Sequence, residues 1–302
     1  LYQWTGLSLF FWLTPILVYG LIPLLDGVVG EDDSNPPDSI MPTLAGEKYY
    51  RYVVYAAIPV QYASFVFGTY LAVRGDLQWH QLLGLFFSVG MTSGLAINVG
   101  HELGHQTSPL ERWLAKIALA PVMYGHFYVE HNRGHHVRVA TPEDPASSRF
   151  GETFYEFLPR CVYGSIKSAW EIEARRLRKK GKSAWSLEND NLQAWAVTVA
   201  LFGGMALWLG WWALPFMILQ GAYGGSLLEV VNYLEHYGLQ RRRTAAMSAA
   251  SRTTRGIPTT PPPTSSSTTC SATRTTTPTR RARSRPCATS RACRACPTAT
   301  PA

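Results

Sequence analysis

Cysteine is nearly missing from the first 240 residues, where Cys161 stands alone. A disulfide framework is therefore excluded for that part. Cys293 and Cys296 form a C-x-x-C further on, but with no partner pair and no nearby His they make a weak zinc site. Acidic residues and histidine are absent from the C-terminal stretch. All 20 Asp and Glu lie at or before Glu235, and all 8 His at or before His236. Twelve of the 28 Lys and Arg follow, every one an Arg, so residues 1–236 carry −4 and the tail +12. A basic tail ordinarily suggests nucleic acid or anionic lipid. Here it is Thr, Arg, Ser, Pro and Ala with no apolar core, and no nucleic-acid partner is expected. A signal peptide with a basic n-region is also lacking. The chain begins at Leu1 without Met and reads as a piece of a longer protein.

What is present is apolar. Stretches at about 7–25, 52–73, 81–100, 192–208 and 211–234 are long enough to cross a bilayer as helices. Pro15, Pro23, Pro59 and Pro215 fall inside them, which membrane helices tolerate. A further stretch, Trp113 to Val129, contains Lys116 and His126 and reads as interfacial or re-entrant. The expected fold is an all-α bundle of transmembrane helices over residues 1–240. Basic residues between 159 and 182 place that segment in the cytoplasm. The 81–100 helix then emerges on the cytoplasmic side, and a cytoplasmic N-terminus would require one more span upstream.

Six histidines form three clusters. His101 and His105 in "HELGHQ" are four apart, on one face of a helix. His131, His135 and His136 in "EHNRGHH" again offer an i, i+4 pair with a neighbour at i+5. His236 in "LEHYG" ends the last apolar helix. All three clusters emerge at the cytoplasmic end, where they form a metal site. Imidazole suits Zn, Cu, Fe and Ni. Five or six ligands exceed one tetrahedral zinc, so two ions are expected. "HELGH" also fits the H-E-x-x-H pattern of zinc proteases, with Glu102 as base, and an intramembrane protease is a competing reading. Lone His80 and His126 are read as ordinary polar residues.

"NVGHELGH", "YGHFYVEHNRGHHVRVATPEDPASSR" and "NYLEHYGL" resemble the histidine motifs of the membrane-bound alkane 1-monooxygenases, within the di-iron desaturase and hydroxylase superfamily. "YGLIPLLDGVVGEDDSNPPD" resembles the loop after that family's second membrane helix. The resemblance covers residues 1–240. It implies six membrane helices in the complete protein and two nonheme iron ions held by nine His. It further implies electrons from rubredoxin, reduced by rubredoxin reductase, and terminal hydroxylation of medium- to long-chain n-alkanes to primary alcohols with O₂. A fatty-acyl desaturase or another lipid hydroxylase of the superfamily shares the His clusters. The implied location is a bacterial inner membrane, with the histidines on the cytoplasmic side. Motif by motif, the ligands carried over are His101, His105, His131, His135, His136 and His236. Glu102, Glu130, Asp144, Glu229 and Glu235 are candidate partners for ligand N–H groups. Val18, before Tyr19 and Gly20, is a candidate for the alkane channel, and no catalytic acid or base is named. Arg175, Arg176, Arg178, Lys179, Lys180 and Lys182 form a candidate docking patch for acidic rubredoxin.

The three remaining family ligands sit in an L-Q-R-H-S-D-H-H-A motif that the tail lacks. Back-translating Ala246 to Thr260 with one permitted choice of codons and shifting the frame by one base spells HERCQPHHSWNSNH. The same shift turns Cys270 to Pro278 into the missing motif. Residues 241–302 are thus expected to be a frame-shifted, disordered tail, and the 302-residue chain as written to be inactive.

Overall fold

The computed structural model describes residues 5–30, 37–40 and 48–241. Expectations about the tail fall outside them. The described residues form helices and turns, with no strand among them. Five helices are long and apolar enough to cross a membrane: Ser8–Val29 (α1), Lys48–Arg74 (α2), Trp79–Gly104 (α3), Asp190–Leu209 (α7) and Ala213–His236 (α8). They overlap the five apolar stretches of the sequence. Their outer faces expose Leu9, Val60, Phe67, Val199 and Leu207, a surface suited to lipid tails. The chain is a multi-pass membrane protein.

The spans differ in regularity: α2 and α8 run unbroken through Pro59 and Pro215, whereas α1 does not. α1 is broken into a 3-10 segment, Ser8–Trp12, a short α turn, a π segment, Leu17–Leu21, and a last α-helix, Ile22–Val29. Pro15 and Pro23 remove backbone donors, and the chain shifts its hydrogen-bond register around the gaps. Trp12 Nε1 donates to the His80 carbonyl at 3.1 Å and Ser88 Oγ to the Phe11 carbonyl at 2.7 Å, which ties α1 to α3.

α3 and α8 meet through glycine. A methyl group built on Gly94 would lie 2.8 Å from the Gly224 carbonyl oxygen, and one on Gly224 would lie 2.7 Å from that of Gly90. Gly90 and Gly94 are four apart, so small residues on one face let the backbones touch. This contact fixes the α3 end bearing His101 against the α8 end bearing His236.

Most of the Trp113–Val129 stretch is buried inside the protein, with Trp113 exposed at its start. It forms Pro109–Leu119 (α4), a 3-10 turn Ala120–Val122, a left-handed residue at Met123 (φ 57°) and Phe127–Glu130 (α5). Ala115, Ala118, Leu119, Ala120 and Val129 are fully buried. A helix ending there strands carbonyl groups. Tyr62 donates to the Ile117 carbonyl, Gln61 to that of Ala118 and Gln220 to that of Pro121, at 2.7–2.9 Å. Lys116, which made the stretch look interfacial, is 3% exposed. It is held by Asp190 at 2.7 Å and by Gln193.

The long amphipathic helix Phe154–Lys179 (α6) follows a Thr153/Glu156 capping box. It buries Phe157, Cys161, Ala169, Glu173 and Leu177 against the bundle. Arg160 donates to the Pro145 and Ser147 carbonyls at 3.1 Å. Ser148 Oγ donates to the Tyr233 carbonyl at 2.7 Å. The loop carrying Asp144 is thereby locked to α6 and α8.

Candidate metal centre

The α3 C-terminus brings His101 and His105 onto one face, with ring centroids 4.7 Å apart. The next cluster departs from helical spacing. After α5 the chain makes a π turn, His131–His135. In a π turn hydrogen bonds close at i+5 and not i+4, so His136 comes round to the face of His131. The Nε2 atoms of His131 and His136 are 3.0 Å apart, and those of His131 and His101 3.1 Å. One candidate ligand nitrogen from each of His101, His105, His131 and His136 lies within 4.8 Å of the other three. The i, i+4 pairing of His131 with His135 expected from the sequence is therefore replaced by i, i+5.

Three features of this turn keep it in the π form. Gly134 has no Cβ, and one placed there would be 2.5 Å from both Glu130 Oε2 and Arg138 Nη2. Arg138 donates to Glu130 Oε1 at 2.7 Å and to Ser168 Oγ at 2.6 Å. Arg133 reaches the other way, to the fully buried Glu173 on α6 and to Asp190 at 2.8 Å on α7. Arg176 also binds Glu173, at 2.6 and 2.7 Å.

His135 lies outside the group of four. Its Nδ1–H donates to Asp144 Oδ2 at 2.9 Å, and its ring lies 4.9 Å from that of His236. His236 Nδ1–H donates to the Asn232 carbonyl at 2.8 Å. Both rings thus keep Nε2 free. The six histidines divide into four and two, with His131 and His135 stacked 5.4 Å apart between the groups.

The donor set fits a metal ion. A neutral ring nitrogen carries one lone pair or one hydrogen, yet His131 Nε2 is within 3.1 Å of two other ring nitrogens. Hydrogen bonding satisfies one of these contacts at most, whereas a shared cation satisfies all. Burial, reinforced by neighbouring imidazoles, lowers the pKa of His131 to about 2, and burial with His105 and His135 lowers that of His136. The rings are held in the neutral, ligating form.

The carboxylates sort differently from their sequence grouping. Burial raises Asp144, but hydrogen bonds from His135, Ser147 and Ala146 outweigh it and hold its carboxyl below the usual range. Glu130 is buried beside the cluster on Arg138, and burial pushes it up to about 7. Glu229 is buried and accepts from Tyr124 at 2.6 Å, Cys161 at 2.8 Å and Asn232 at 3.3 Å, with no histidine among its partners. Glu102 and Glu235 are exposed and make no hydrogen bond to a histidine. Val18 is half-buried in the π segment of α1, one residue before Tyr19, which hydrogen-bonds Tyr223 of α8. In the basic patch, Arg176 is consumed by Glu173, Lys182 by Glu188 and Arg175 by Glu171 at 3.6 Å. Arg178, Lys179 and Lys180 remain exposed.

Sequence reasoning missed Asn232, Arg133 and the environment of His126. Asn232 had a legible signal, being four residues before His236 on one helix, so that its carbonyl faces that ring.

The fatty acid desaturase family model matches residues 77–275. Alkane 1-monooxygenase 1 of Alcanivorax borkumensis is 45% identical over 239 residues, 79% of this chain and 59% of that protein. The alkane 1-monooxygenases of Pseudomonas putida and Ectopseudomonas oleovorans are each 43% identical, over 80% and 79% of this chain and 60% of their own length. The chain thus spans about 60% of the length of the curated relatives it matches. With the family model aligned across both histidine-bearing spans and the turn between them, the chain belongs to the fatty acid desaturase family.

Proposed function

We propose that this chain is the membrane-embedded part of an alkane 1-monooxygenase, adding one oxygen atom of O₂ to the terminal carbon of medium- to long-chain n-alkanes. The balance is alkane + O₂ + 2 e⁻ + 2 H⁺ → primary alcohol + water, with rubredoxin supplying the electrons. The observation that carries this is the four-imidazole cluster at the α3 end, in a chain resembling relatives named for alkane oxidation.

His101, His105, His131 and His136 would hold one iron. His135 and His236 would hold part of a second, completed by ligands outside the described residues. When bound, the metal supplies the oxygen activation that an unpolarised C–H bond demands and no side chain provides. The chain's own residues do the rest. Asp144 and the Asn232 carbonyl fix the tautomer and direction of His135 and His236. α1, α2, α3 and α8 supply apolar walls that admit an alkane from the bilayer and exclude water. Neutral imidazoles avoid the cost of collecting many carboxylates at membrane depth. Exposed Arg178, Lys179 and Lys180 offer the acidic electron carrier a docking face on the cytoplasmic side of a bacterial inner membrane.

Product analysis tests the reading. Membranes carrying the frame-restored protein, supplied with NADH, rubredoxin reductase and rubredoxin, should convert octane to 1-octanol, and purified protein should hold two irons per chain. A double bond introduced into an acyl chain would make it a desaturase. One zinc and no iron would remove the oxygenase reading altogether.

A further inference from the structure

His126 belongs to neither histidine group. It is 2% exposed, and its Nε2 is buried with no hydrogen-bond partner among the described residues. A buried polar group left unpaired is costly, so a partner is expected. One turn on, Glu130 is 3% exposed; its carboxylate takes hydrogen bonds from Arg138, at Oε1, and from Ser168, while its Oε2 has no partner within the geometric limits of a hydrogen bond. His131 presents a third open position. Its Nε2 faces His101 and His136, which leaves the ring's other nitrogen, Nδ1, to carry the hydrogen. Ligating histidines give that second N–H to a partner that sets ring orientation and basicity.

These three residues line one small cavity, together with Tyr124, Glu229 and Asn232. It leaves about 10 Å³ for the centre of a water-sized sphere, the room that one buried water needs. We propose that this cavity binds a single water molecule, which accepts from His131 Nδ1–H and donates to His126 Nε2 and Glu130 Oε2. Three bonds are what a buried water typically makes, and two of them pair the buried open atoms of His126 and Glu130. Burial lowers the His126 pKa to about 4, which keeps the ring neutral and able to accept. His126 is thereby a positioning residue: it fixes the water, and the water fixes a metal ligand. This rests on reading the four-histidine cluster as a metal site.

The test uses the full chain in lipid nanodiscs, titrated with Co(II) and followed by visible ligand-field absorption. His126→Leu should weaken Co(II) binding by about 10–100-fold, the usual result of losing an outer partner of a ligand, and shift the absorption bands. His126→Gln, which returns a polar atom near the lost Nε2, should restore most of the affinity. Ala146→Leu fills the cavity from another wall and should reproduce the loss with His126 intact, which covers the case in which His126→Leu fails to fold. A structure resolving ordered water should show density between the three groups in the parent chain and none in Ala146→Leu. Unchanged affinity and bands in the folded cavity variants would overturn the proposal, as would an empty cavity. If the parent chain takes up no Co(II), the metal reading has failed by itself, and the water density alone decides the site.

Discussion

Arg133 sits inside the π turn, between two histidines of different groups, and contacts neither. Its guanidinium joins Glu173 of α6 to Asp190 of α7. Arg133→Met keeps the length of the side chain and removes both ion pairs. Charge-assisted hydrogen bonds contribute about 1.5–3 kcal/mol each, and orphaning a buried charge costs about 3–5 kcal/mol. Neither carboxylate is fully orphaned here. Glu173 retains Arg176 and the Asp190 N–H, and Asp190 retains Lys116. Arg133 is also about a quarter exposed. The expected loss of stability is therefore about 2–3 kcal/mol, below the full penalty. The sharper consequence concerns the turn. Without its anchor the turn can relax toward α geometry, which restores i+4 closure and carries His136 off the face of His131. Co(II) affinity of the four-histidine site should fall by about 10–100-fold. Arg133→Lys keeps the charge but cannot fork to two carboxylates, and should fall between. Paired Co(II) titration and thermal unfolding in nanodiscs measure both effects. Lower thermal stability with unchanged Co(II) affinity would refute the claim that the network holds the turn.

The other predictions use different readouts. Gly94→Leu forces side chain into the backbone of Gly224, which should cost about 1–3 kcal/mol and weaken Co(II) binding. Gly203→Ala, where a methyl meets open space, should change neither. In the frame-restored enzyme, Val18→Trp should shift oxidation toward shorter alkanes, and an unaltered chain-length profile would remove Val18 from the channel. Replacing Arg178, Lys179 and Lys180 together by Gln should slow reduction by rubredoxin and weaken its salt dependence, with octane binding unchanged. The nucleotides encoding Gln240 to Thr260 should read through to H-S-W-N-S-N-H after a one-base shift. Codons incompatible with that shift end the frame argument, as would octane turnover by the chain as written.

The spans were legible because bilayer thickness imposes a length and a composition, and residue order within the run hardly matters. His101 and His105 were legible for a similar reason, since an uninterrupted helix maps four residues onto one face. Within the Trp113–Val129 stretch the burial of Lys116 was not legible. Lys116 is neutralised by Asp190, 74 positions away, a contact no local window contains. Glu102 and Glu235 adjoin ligands in sequence, but neighbours on a helix point about 100° apart, so adjacency carried them away from the rings. Asp144 comes from a loop and reaches His135 only because Arg160 and Ser148 lock that loop in place. The pairing within "EHNRGHH" depends on the same kind of distant contact. Its letters allow i+4 or i+5 equally, and the choice lies with Glu173 and Asp190 pulling Arg133 one way while Glu130 and Arg138 crowd Gly134 from the other. A motif of seven residues lists the histidines, but two remote carboxylates bear on which of them come together.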